Sequence, residues 1–85
     1  MTNPSPEFER RVEASYSRLK PERLFQGCKV AEDERGIIVR VYSQSRHRPA
    51  VLPPPYETYR FDAATSTLSR LTDEEAAPYR IRNYK

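Results

Sequence analysis

The chain is expected to fold as an α+β domain, one N-terminal helix packed on an antiparallel meander of three or four strands. Three observations lead there. Phe8, Val12, Tyr16 and Leu19 recur at helical spacing and stop before Pro21. Ile37 to Tyr42 is a β-branched run in which Ile37, Val39 and Val41 share one face and Ile38, Arg40 and Tyr42 the other. Polar segments at 32–36 and 62–66 then read as turns between short strands.

The helix has a well-marked start. Ser5 suits the N-cap and Pro6 the first helical position, while Glu7 and Glu9 face the positive end of the helix dipole. Glu7 is placed to pair with Arg11 one turn on. Pro21 ends the helix near residue 20, because the residue before a proline avoids helical geometry.

Leu24 to Ala31 is the first strand candidate, with Phe25, Cys28 and Val30 as its apolar members and Gly27 as a bulge. Glu32-Asp33-Glu34-Arg35-Gly36 turns the chain into the second strand, Ile37 to Ser43, the expected centre of the sheet. Residues 44–55 form a long connection ending in Pro53-Pro54-Pro55, and these three prolines, lacking N–H donors, stay out of any ladder. The third strand is Tyr56 to Phe61. Thr67 to Leu71 returns as a fourth, with Leu68 and Leu71 on opposite faces. Thr72-Asp73-Glu74-Glu75 matches a capping box, and Pro78 is expected to limit that helix to about one turn. The whole chain reads as one domain, 1–85, with residues 1–5 disordered and the weakly alternating tail 79–85 a short edge strand or a frayed end.

The run from Tyr59 to Leu68 resembles the closing hairpin of PepSY-type and related cystatin-like domains, in which a helix precedes a sheet. It covers ten residues, or about forty with the preceding strand and helix order, and Ser66 stands where the pattern has glycine. The resemblance implies a binding or inhibitory module. Many such domains are extracytoplasmic.

Composition excludes several classes. One cysteine, Cys28, and one histidine, His47, exclude a disulfide framework and a cysteine-rich zinc site. No glycine-rich phosphate loop or metal-ligand spacing occurs, so no cofactor or metal is expected. The start lacks the pattern of a signal peptide and no apolar run would span a membrane, which suggests a cytoplasmic protein. Eighty-five residues give a stability of roughly 4–8 kcal/mol.

No enzyme is expected, since a Cys28–His47 pair is less economical than a buried thiol and a loop histidine. Charge is uneven: residues 1–34 carry six cations and seven anions, residues 35–85 nine and five. Arginine outnumbers lysine twelve to three.

The expected site is a cationic and aromatic sheet face formed by Arg40, Tyr42, Arg46, Arg48, Tyr56 and Arg60. Aromatics with arginine are enriched at protein interfaces, so the leading reading is a non-enzymatic binding or regulatory module, acting on a protein partner or a second copy. The alternative is a nucleic-acid surface extended by Tyr79, Arg80, Arg82 and Tyr84, with tyrosines stacking on bases. More remote is Pro53-Pro54-Pro55-Tyr56 as a ligand for a WW domain.

Overall fold

Ser5 caps the first helix: its hydroxyl accepts a hydrogen bond from the Phe8 N–H at 3.3 Å and opens helix α1, Pro6–Leu19. The computed structural model describes residues 2–83, the last five as backbone only. After α1 come strands β1 (Arg23–Asp33), β2 (Gly36–Ser45), β3 (Tyr56–Asp62) and β4 (Thr67–Arg70), then helix α2 (Asp73–Asn83). The four strands form one sheet in the order β1-β2-β3-β4, each antiparallel to its neighbour. The expected α+β meander is what the molecule has.

Helix α1 lies on one face. Val12 and Tyr16 pack among Cys28, Val39, Val41, Tyr59 and Phe61, with Phe8, Phe25, Ile37 and Leu68 around them. Edge-to-face rings knit the layers: Phe8 meets Phe61 at 5.3 Å and Tyr16 meets Tyr59 at 6.0 Å between centroids. Tyr16 also shares a 2.8 Å hydrogen bond with Ser43 Oγ, which in turn accepts from Arg23 Nε at 3.2 Å. Leu19, expected in the same stripe, is 47 % exposed. It borders Ser66, Thr67 and Leu68, and a four-residue β4 is too short to cover it. Arg11 reaches the Ala63 carbonyl and Ser66 Oγ rather than Glu7, its guanidinium 5.6 Å from the Phe61 ring centre.

The register between β1 and β2 shifts between Phe25 and Gly27, placing the expected bulge at the glycine, which takes a φ of 152°. Ser66 adopts a φ of 54°, the left-handed conformation that glycine would take with less strain. It keeps that geometry with its carbonyl accepting a 2.6 Å bond from Ser15 Oγ.

Two expectations are corrected. Thr2, within the segment read as disordered, bridges to the outer edge of β1, where it and Val30 exchange N–H···O bonds of 2.8 Å in both directions. Helix α2 continues through Pro78 to Asn83 instead of stopping after one turn. Proline there removes a single bond near the helix start, where the Glu74 carbonyl is on an exposed residue that water can reach. The capping box is formed: Glu75 N–H donates to Thr72 Oγ1 at 3.2 Å and Thr72 N–H to Glu75 Oε1 at 3.1 Å. These bonds hold the Glu75 carboxyl below its ordinary pKa. On the second sheet face Ala76 of α2 packs with Leu71 on Ile38 and Ala31. Leu68 and Leu71 thus serve opposite faces. Residues 84–85 lie outside the described residues.

Cys28 is buried, and that burial, followed by the nearby Glu9 carboxylate, pushes its thiol up to about 12 from 9.0. Between those values the folded chain keeps a proton that the unfolded chain has lost, so stability is complete below pH 9 and falls as pH rises. Tyr59 adds to this above pH 10, because burial and Glu57 raise its phenol as well. Denaturant unfolding from pH 9 to 10 should therefore show a loss of up to about 1.4 kcal/mol per pH unit. Cys28→Ala should be flatter over that interval. A slope unchanged by the substitution would mean that the thiol is not held protonated.

Candidate functional site

Alternation along β2 places Ile38, Arg40, Tyr42 and Gln44 on the face away from α1. The register sets Tyr56 opposite Tyr42 and Thr58 opposite Arg40 on β3. The expected surface residues are therefore neighbours, as the sequence implied, but they do not make a surface. Arg40 is 2 % exposed, its guanidinium 4.2 Å from the ring centre of Tyr56, its diagonal neighbour. Tyr56 and Tyr42 pack on each other at 5.8 Å. Arg60 reaches back to Asp33 at the β1–β2 turn, with nitrogen–oxygen distances of 3.0 and 3.4 Å.

The Arg40 assignment as a presented cation is thus corrected. Cover at one end comes from Ala76 on Ile38 and at the other from the proline-rich connection. Gln44, 5 % exposed, holds that connection with its whole amide. Its Nε2 donates to the Val51 carbonyl at 2.9 Å, and its Oε1 accepts from the Val51 N–H at 3.1 Å. Ser43 N–H donates to the Pro55 carbonyl at 3.2 Å, fastening the far end. The near end is held by Arg46, whose backbone N–H donates to the Glu22 carbonyl at 3.1 Å and whose Nε donates to the Pro21 carbonyl at 3.2 Å.

What this fastening presents is the part that periodicity missed. Residues 46–52 are all exposed. Leu52 is 84 % and Val51 55 % accessible, although the residues holding them are tied down. Leu24, 47 % exposed, is the cross-strand partner of Gln44 and lies on the same face. Arg46, His47 and Arg48 precede these side chains. From Gly36 to Tyr56 the sequence has no carboxylate. Of the six expected residues, the structure leaves Arg46 and Arg48 exposed and joins them to an aliphatic patch that was not anticipated.

Other chemistry finds little geometric support. Cys28 faces the α1 core, whereas His47 is exposed beyond the end of β2, so the two do not form a pair. Among the described residues no group of three histidine, cysteine or acidic side chains is placed to hold a metal. Among the described residues no helix is long and apolar enough to cross a membrane. A depression of about 590 Å³ lies between the two hairpin turns and is floored by small residues such as Gly36, Ala63 and Ala64. Its Arg60 wall is already engaged by Asp33. Tyr56, the tyrosine of the Pro-Pro-x-Tyr match, begins β3 with its ring packed, so it is not presented for docking. Arg80 and Arg82, with Tyr79, have side chains outside the described set.

Comparison with protein-family models, curated proteins and solved structures finds no match for the chain.

Proposed function

We infer that the protein is a non-enzymatic binding module that docks a protein partner on the loop at 46–52. The observation that supports this is Leu52, 84 % exposed on a segment fastened at Arg46, Gln44 and Ser43. A loop held in one shape binds at lower entropic cost than one that must order first. Aliphatic side chains turned outward from such a loop, beside Leu24, form a contact patch rather than part of the protein's own core.

A base-stacking surface is less well served. Tyr42 and Tyr56 pack on each other, and Arg40 lies against Tyr56. Stacking needs free ring faces.

The test is affinity capture from native extract with the wild-type protein, Leu52→Asp and Gln44→Ala. Leu52→Asp should lose the captured partner while melting like the wild type, since residue 52 supports nothing. Gln44→Ala leaves every exposed side chain in place but releases the loop. It should weaken capture and raise hydrogen exchange at Val51. The same protein recovered undiminished by Leu52→Asp would overturn the assignment.

A further inference from the structure

The geometry points to an acidic, aliphatic segment of another protein as the occupant of the 46–52 loop, a reading that rests on the docking function above. Charge carries it. The chain has twelve carboxylate side chains, yet none lies between Gly36 and Tyr56. In the fold Glu22 lies beside Arg46, its carbonyl accepting from the Arg46 N–H, yet neither Arg46 nor Arg48 forms an ion pair with a carboxylate among the described residues. Arg46 spends its Nε on the Pro21 carbonyl, which orients the guanidinium and leaves the terminal nitrogens without a hydrogen bond among the described residues. Arg48 is exposed and pairs with no carboxylate among them. A planar guanidinium held in this way suits bidentate pairing with a carboxylate.

The apolar part selects among anionic partners. Val51, Leu52 and Leu24 are aliphatic and offer no ring on which a base can stack. Two outward side chains on a loop supply little of the apolar burial that holds a protein on a bilayer. A peptide whose leucines meet Leu52 and Val51 and whose glutamates meet Arg46 and Arg48 uses both halves of the patch. The acidic segments of the chain itself, at 32–34 and 73–75, make a second copy the competing occupant.

The experiment uses the full chain and a fluorescent peptide of alternating leucine and glutamate pairs. Controls carry lysine for glutamate or serine for leucine, and oligothymidylate and phosphatidylserine vesicles are tested in parallel. The glutamate–leucine peptide should bind, with affinity falling about tenfold or more between low and high salt. Arg46→Glu/Arg48→Glu should abolish that binding, and Leu52→Asp should reduce it about tenfold. Equal binding of the lysine peptide would overturn the acidic assignment but leave the docking loop standing if capture still depends on Leu52. No binding of the glutamate–leucine peptide would do the same. Peptide binding indifferent to all three substitutions would remove both readings. Tighter binding of oligothymidylate or vesicles, or a dimer in sedimentation that Leu52→Asp dissociates, would replace the peptide with that occupant.

Discussion

Replacing Tyr16 with alanine is expected to cost about 3–5 kcal/mol, most or all of the folding free energy of a domain this small. Tyr16 is fully buried and joins three things at once. Its ring meets Tyr59 edge-on and Phe25 at a tilt, so it couples α1 to both β3 and β1. Its hydroxyl meets Ser43, which also accepts from Arg23. Truncation leaves a ring-sized cavity under a single helix, where no second layer can move in to fill it. Tyr16→Phe separates the contributions: it keeps the rings and removes one buried hydrogen bond, for an expected loss of about 1 kcal/mol. Urea unfolding followed by circular dichroism checks both. An alanine variant within about 1 kcal/mol of wild type would mean that α1 is not held on the sheet through this residue.

The contrast between Tyr16 and Arg40 shows where reading the sequence succeeds and where it stops. Tyr16 lies on a stripe of apolar residues, and helical period alone assigns its face. The caps at Ser5 and Thr72 and the bulge at Gly27 are equally local, and each lies where its residue type requires. Arg40 was placed on the correct face by alternation, but alternation says nothing about what lies over that face. The cover depends on contacts between distant parts of the chain. Ala76 reaches Ile38 from another element, and Gln44 takes hold of Val51 by its backbone, an interaction with no periodic signature. The same clamp decides Val51 and Leu52, an apolar pair before three prolines that periodicity assigns to no face and that the fastened loop turns outward. Pro78 misleads for a different reason: its cost falls near a capped helix start, where one lost bond is tolerable.

Removing the ring of Tyr56 is expected to cost about 2–4 kcal/mol for Tyr56→Ala, and the cause is Arg40. A guanidinium that is 2 % exposed has lost its water and depends on the protein to compensate. The Tyr56 ring, 4.2 Å away, supplies part of that compensation, worth about 2 kcal/mol at a desolvated site. Its packing on Tyr42 adds the remainder. Arg40→Met keeps the length and removes the charge, and with it the contact on the Tyr56 ring. In the Arg40→Met background Tyr56→Ala should then cost about 2 kcal/mol less than in the wild type, because the contact between cation and ring is already gone. A double-mutant cycle by urea unfolding measures this directly, and strict additivity would show that the ring does not stabilise the cation. Arg40→Met should also leave partner capture through Leu52 intact, which separates the buried cation that supports the sheet from the exposed cations, Arg46 and Arg48, that face the partner.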